Sequence, residues 1–444
     1  MKVTYLQNAG VIITNLGEKI LCDPWLVDGC YYGSWYHYPK FDFNPKEFDD
    51  IDYIYISHIH PDHFDIKTLQ QLKKDIPVLI HEFPQKFFKE NIEELGFKVE
   101  EIPHNKRTNL GKTWINIIAA DNCDPEICSR VFGCNFGFNK FGTNQIDTFS
   151  VIDNDEQVIV NSNDCPYEIG QSTAKMIKEQ YSDIDLFLVG YTGASDYPCS
   201  YNLESSEKEI EARKKKSKRL QNAVDYIHIL NPKYYMPFAG RYVLGGKLTS
   251  LMKYKGESTL DEGFNYLLQN IDQEKNKGIV LNIKSSFDLD TKQTSEPYIP
   301  ENKQEREHYI QNVLSKLKLD YEEDPYPKLD SILKLIPKAY DRFERCRKII
   351  NYSTDTVILI KLDNEKLLLV PVNGDGFKII KTNELDNFQK YLYLSLDMRL
   401  FSKILHGSKK AHWNNAEIGC HILWKRVPNI YNRSLMYCLN YLHN

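Results

Sequence analysis

The segment His58-Ile59-His60-Pro61-Asp62-His63 places three imidazoles and a carboxylate within six residues, directly behind the β-branched and aromatic run Tyr53–Ser57. Side chains alternate along an extended chain, so His58 and His60 point the same way while Asp62 and His63 turn toward a neighbouring point. Burying such a set with no partner costs on the order of several kcal/mol in unpaired polar and charged groups. A cation removes that cost, and imidazole with carboxylate suits zinc, iron or manganese. The first expectation is therefore a loop between a strand and a helix that holds one or two divalent metal ions, and an enzyme that works through them.

The rest of the chain reads as a frame for that loop. Lys2–Leu6, Val11–Thr14 and Lys19–Cys22 form a meander that ends in Asp23-Pro24-Trp25. Ile66, Leu69 and Leu72 recur every three residues, so a helix is expected from about Asp65. Further strands are expected at 76–81, 115–119, 148–152, 157–161 and 186–189, with a helix over 170–180. A long helix from Ser205 to about Leu230 is stopped by Asn231-Pro232. Within it, 213–219 carries six basic residues in seven, read as a solvated face. Strands with intercalated helices predict an α/β chain: an αββα sandwich over residues 1–290, a polar linker over 291–328 that includes one helix, and a small α+β unit over 329–444. The last is expected to open with a helix around 329–351 and to contain a hairpin of 356–362 and 366–372.

With 444 residues, 42% hydrophobic and 26% charged, the chain has the composition of a folded globular protein. A formal charge of -5 disfavours a surface built for nucleic acid. No stretch of 18 apolar residues suggests a membrane span, and the N-terminus lacks a secretory pattern. The ten cysteines are scattered without CxxC pairs and read as reduced thiols, so a cytoplasmic location is expected. Cys123, Cys128 and Cys134 cluster as weaker metal candidates.

His-x-His-x-Asp-His behind a strand resembles the metallo-β-lactamase fold. Asp23-Pro24-Trp25-Leu26, the stretch 33–39 and Pro237-Phe238-Ala239-Gly240 resemble, more narrowly, the branch that contains the catalytic domain of cytidine monophosphate N-acetylneuraminate hydroxylases. The resemblance covers roughly residues 1–290. It implies that His58 and His60 hold a first metal, that Asp62 and His63 hold a second, and that Asp164 in Asn163-Asp164-Cys165 bridges both. Asp62 and Asp164 would then also be the catalytic carboxylates. A helix cap is the other reading of Asp164.

Two departures from that pattern matter. Phe238 stands where many hydrolases of the superfamily have a histidine, and no histidine occurs between His104 and His228. Asp121 is the preferred stand-in, with Cys123 and Asp124 as alternatives. Trp35, His37, Tyr191 and Ser195 are candidates for binding a small-molecule substrate, although the aromatic loop that holds Trp35 and His37 could equally form a local core. His104 could line a pocket or be an ordinary hydrogen-bonded histidine.

A metal-activated water predicts a hydrolase acting on a small polar substrate. The narrower resemblance predicts instead an iron monooxygenase acting on an amino-sugar or a nucleotide-linked sugar. The related hydroxylases also carry a Rieske domain, whose Cys-x-His and Cys-x-x-His pairs do not occur in this sequence, so an oxygenase would need an external electron donor or a self-sufficient iron pair. A non-catalytic metal-binding or scaffold protein is the third reading. The terminal unit is expected to recruit substrate or to form a homodimer.

Overall fold

The computed structural model describes residues 1–120 and 147–444. Two sheets form its centre. One runs Gln293–Thr294, Ser286–Asp288, Lys2–Gln7, Gly10–Asn15, Glu18–Cys22, Tyr53–Tyr55, Val78–His81, Val99–Ile102. The other runs Lys277–Gly278, Tyr234–Phe238, Leu186–Gly190, Val158–Asn161, Thr148–Asp153, Trp114–Ala119, Thr108–Asn109.

The period-two side-chain pattern decides the layering. Tyr55, Leu79, Ile20 and Cys22 face inward and meet Ile115, Ile117, Ile152, Leu186 and Leu188 of the second sheet. Their neighbours Ile54, Ile56, Val78, Ile80 and Leu21 face outward, onto Leu69, Leu72, Phe88 and Ile92. The outer face of the second sheet is covered by the helices Tyr167–Gln180 and Ser205–Leu230. This is the expected αββα sandwich.

From Glu18–Cys22 to Val99–Ile102, and from Val158–Asn161 to Tyr234–Phe238, neighbouring strands run parallel. In such sheets the loops beyond the carboxyl ends of the strands build the crevice. Asp23, the 57–63 loop and Asp164 all lie on loops of that kind.

A third, five-stranded sheet lies in the last part of the chain: Lys378–Lys381, Lys366–Pro371, Val357–Lys361, Tyr391–Ser395, Leu423–Val427. The helix expected around 329–351 is two helices, Leu329–Leu333 and Ile336–Ile349, and Pro337 lies in the first turn of the second. This region is not a bead on a tether. Ile336, Phe343, Phe401, Trp413 and Trp424 share one buried cluster with Trp25, Trp35, Tyr201 and Tyr242 of the sandwich. The stretch read as a linker is packed into the same body: Leu319 and Tyr321 lie in that cluster, and the helix Lys303–Asn312 buries Ile310 against Val243. Its polar composition hid the few apolar residues that anchor it.

The basic run on the long helix is a solvated face only in part, with Arg213, Lys214, Ser217 and Lys218 exposed. Lys215 is partly buried and donates to the Ser195 and Lys255 carbonyls at 3.0 and 2.9 Å, while Lys216 and Lys218 pair with Glu262 and Glu168. The described cysteines are all free thiols; Cys199 and Cys420 bring their sulfurs to 3.8 Å across the junction of the two units. Among the described residues no helix is long and apolar enough to cross a membrane.

Candidate metal centre

Asp23 organises the loop. It follows the strand Glu18–Cys22 in a left-handed conformation, φ 43°, and its wholly buried carboxylate accepts the Ser57 N–H at 2.7 Å and the Ser57 hydroxyl at 2.7 Å. The same carboxylate accepts from His63 Nδ1 at 2.8 Å. The second nitrogen of His63 is thereby left as a lone-pair donor, a division of roles typical of metal-binding histidines. Ser57, having given its proton to Asp23, accepts from His58 Nδ1 at 2.9 Å, so His58 also turns Nε2 inward.

Around these nitrogens the ligand atoms converge in two overlapping sets, His58, His60, Asp147 and His58, His63, Asp164, each with its donor atoms within 4.8 Å of one another. His58 Nε2 lies 2.9 Å from His60 Nδ1 and 3.1 Å from Asp147 Oδ1. His63 Nε2 lies 3.3 Å from Asp164 Oδ2 and 3.5 Å from Asp62 Oδ2, yet it is buried and makes no hydrogen bond. A buried imidazole nitrogen faced by two carboxylates without a hydrogen bond is what a cation would complete. The donors present fit one or two divalent ions.

The electrostatics divide the cluster. Burial, helped by the neighbouring His63 and His60, pushes the His58 pKa well below its ordinary value and keeps the ring neutral. Burial works the same way on His63, but Asp164, Asp62 and Asp23 outweigh it and hold its pKa well above the ordinary value. These two rings are only 4.1 Å apart. Burial lifts the Asp147 carboxyl to about 6. Asp164 is opposed by burial, but His63, His60 and Arg219 hold it below the usual carboxylate range. The Arg219 guanidinium rests against Gly193, where an added Cβ would sit 2.7 Å from its Cζ.

His58, His60, His63 and Asp164 thus come together. Asp164 is not a helix cap, since the following helix, Tyr167–Gln180, has Pro166 at its N-cap and no side-chain cap. Asp62 stands beside the cluster and belongs to neither three-ligand set. Its Oδ1 accepts from the Tyr31 hydroxyl at 2.6 Å and its Oδ2 from Asn8 at 3.3 Å. Asp121 lies outside the described residues, as do Cys123, Asp124, Cys128 and Cys134. The carboxylate found beside His58 is Asp147, which the sequence reading passed over. Its one signal is its place at the mouth of the strand Thr148–Asp153. Phe238 is buried between the sheets and offers no donor.

The residues expected at a substrate surface are placed elsewhere. Trp35 is wholly buried and stacks on Tyr242 with ring centroids 3.3 Å apart, because the aromatic loop folds into the shared core. His37 is wholly buried too, between Asp28 at 2.8 Å and the Trp25 carbonyl at 3.1 Å. Tyr191 is buried where Gly263 leaves room for its ring. Ser195 turns its carbonyl to Lys215 and Lys255 and its Oγ to the Tyr197 N–H. His104 is hydrogen-bonded to His81 at 3.0 Å. A cavity of about 570 Å³ lies to one side, lined by Arg241, Tyr242, Lys255, Glu257 and Glu301 among others and by none of the cluster's ligands. Its nearest link to the cluster is Asn8, which accepts the Arg241 N–H at 3.1 Å and donates to Asp62.

Residues 2–239, more than half of the chain, match the family profile of the beta-lactamase superfamily domain. The chain belongs to that superfamily. A protein of Mycobacterium tuberculosis provisionally named a Rieske 2Fe-2S iron-sulfur protein is 27% identical over 249 residues, 54% of this chain and 44% of that protein. The cytidine monophosphate-N-acetylneuraminic acid hydroxylases of Mus musculus and Asterias rubens are 25% and 28% identical over 254 and 253 residues, 55% of this chain in each case and 39% and 35% of theirs. The chain spans less than half the length of these curated relatives. Solved structures that superpose on it include an isothiocyanate hydrolase from Delia radicum gut bacteria, with TM-score 0.44 and 12% identity over 65% of this chain and 99% of that one. Another is CmlA, a diiron β-hydroxylase from Streptomyces venezuelae, with TM-score 0.41 and 16% identity over 64% of this chain and 53% of that one. The chain carries a cluster of donors suited to metal, and its curated relatives include proteins named as hydroxylases.

Proposed function

We propose that this chain is an iron-dependent oxygenase that hydroxylates a small polar substrate and takes its electrons from an external donor. The observation that carries the reading is the donor set His58, His60, Asp147. Two imidazoles and one carboxylate form the ligand type that non-haem iron oxygenases use, with positions left for other ligands. Iron held there supplies the capacity to activate dioxygen. The relatives named as hydroxylases support this choice over the hydrolase that the motif alone suggests.

The chain's own residues have definite tasks. Asp23 and Ser57 hold the protons on the far nitrogens of His63 and His58, so that both rings face the cluster with lone pairs. Asp164 and Asp62 supply the negative charge of the second half, and Tyr31 and Asn8 fix the Asp62 carboxylate. Arg219, whose charge bears on Asp164, favours a substrate with an anionic group.

One observation favours hydrolysis as a second reading. The two ligand sets adjoin at His58, whose single inward nitrogen would serve one ion, and divalent metal held in either set would supply an activated water suited to attack on an ester or phosphodiester. Metal analysis of protein purified without added ions, together with turnover in air and under nitrogen, separates the two. Iron together with an oxygen-dependent spectral change supports the oxygenase. Zinc, with ester or phosphodiester cleavage indifferent to oxygen, overturns it in favour of the hydrolase. A protein that binds no stoichiometric metal overturns both and leaves the scaffold reading.

A further inference from the structure

The last part of the chain touches the cluster through one side chain. Asn414, in the first turn of the helix Trp413–Ile418, places its Oδ1 3.0 Å from His60 Nε2, across 354 positions of sequence. The opposite nitrogen of that ring, Nδ1, is the one that faces His58 Nε2 at 2.9 Å. An amide oxygen can only accept, so His60 Nε2 carries the ring's proton and Nδ1 keeps its lone pair on the cluster side. The orientation of the amide is itself set, because its other end bonds the Glu417 carboxylate.

The placement of Asn414 is fixed from both units. Trp413 is buried and donates from Nε1 to the Leu442 carbonyl at 3.0 Å. The His412 N–H donates to the Tyr32 hydroxyl at 2.7 Å, and His421 Nε2 bonds the Tyr31 carbonyl at 2.7 Å. Tyr31 in turn donates to Asp62. The terminal unit therefore grips the loop that restrains Asp62 and also supplies the acceptor that restrains His60.

We infer that Asn414 is a positioning residue of the metal centre, which fixes the tautomer and ring orientation of His60 so that Nδ1 is offered to the cation beside His58 and Asp147. The terminal unit then completes the centre instead of only recruiting substrate. The inference rests on His60 being a ligand, whichever reaction the centre performs.

The test is Zn²⁺ affinity of the full chain, measured against a competing chromophoric chelator, for the parent, H60A, N414A and N414D/E417Q. The loss of an orienting partner of this kind costs about 10–100-fold in metal affinity, so N414A should weaken binding by that factor. N414D, made together with E417Q so that no second carboxylate faces the new one, keeps an acceptor oxygen and should stay near the parent. N414A should add no loss to H60A but its full loss to H63A, since only the first pair acts as one unit. The metal-free thermal midpoint should be unchanged; should the alanine variant unfold, N414L keeps the volume and serves the same comparison. Parental affinity in N414A while H60A binds weakly would overturn the inference. So would equal weakening by N414A and N414D/E417Q, or equal loss in the H60A and H63A backgrounds, either of which marks a merely structural role. Parental affinity in H60A would sink the ligand assignment itself, and the inference with it.

Discussion

The two halves of the candidate centre are assembled differently. The half around His63 is local: its orienting carboxylate, Asp23, and the facing Asp62 lie within a strand and a loop of the same sheet, and Asp164 comes from the next layer. The half around His60 is remote: Asp147 comes from the mouth of a strand in the opposite sheet, and Asn414 from the terminal unit. The first half is rich in charge, and its carboxylates hold the His63 pKa well above the ordinary value. The second has one carboxylate for two rings, and there burial keeps His58 neutral. A site can thus have one end prepared by its own loop while the other depends on how distant parts of the chain dock.

The largest effect should come from the ligands themselves. H58A is expected to abolish stoichiometric metal in protein analysed by elemental assay, with the far-ultraviolet circular dichroism unchanged, and H63A to keep the binding that His58, His60 and Asp147 support. Retention of full metal by H58A would break the comparison, since His58 belongs to both halves.

Next in size is the remote carboxylate. D147N should weaken metal binding by roughly 10–100-fold in the same chelator competition. Parental affinity in D147N would remove the remote carboxylate from the centre.

A third effect is thermodynamic. An ion that binds only the folded chain stabilises it by about 2.7 kcal/mol at one hundred times its dissociation constant. A rise in thermal midpoint on adding metal is therefore expected for the parent and not for H58A. A D147N chain should show the rise only at higher metal concentration.

The smallest effect concerns the floor under both halves. Asp65, 3% exposed, caps the short helix Ile66–Leu69 by accepting from Thr68, and burial lifts its carboxyl to about 6. A carboxyl raised in the folded state binds more protons there than in the unfolded chain, so its stability contribution falls as pH rises from about 4 to about 6 and stays low above that. D65N keeps the cap without the charge. It should be more stable than the parent by roughly 2 kcal/mol at pH 8 and indistinguishable from it near pH 4 in urea unfolding. An equal difference at both pH values would show that the charge is not the cause.

Much of this was legible because it is local. Four donors in six residues behind a β run need no tertiary knowledge, and Asp164 could be placed from a likeness of motif. The layered fold followed from strand and helix periodicity, and the long helix ends where Asn231 adopts a left-handed conformation before Pro232. For Trp35 and His37 the sequence left a local core and a binding face equally open, because a cluster of rings has the same composition in a core as in a sugar-binding face. The segment 291–328 was misread as a tether because Ile310, Leu314, Leu319 and Tyr321 are too few to form a periodic pattern, though each is buried.

What the sequence alone determined is the chemistry of the cage and the layer it hangs from, since alternation along one strand and the donors of one loop are set by neighbours in the chain. What only the tertiary structure decided is how the cage is closed. Asp147 reaches His58 because Thr148 beside it bonds the Ser57 carbonyl across the two sheets at 3.1 Å, and Asn414 reaches His60 because the terminal unit shares a core with the sandwich. Such contacts depend on the packing of surfaces hundreds of residues apart, and no spacing within a motif encodes that distance.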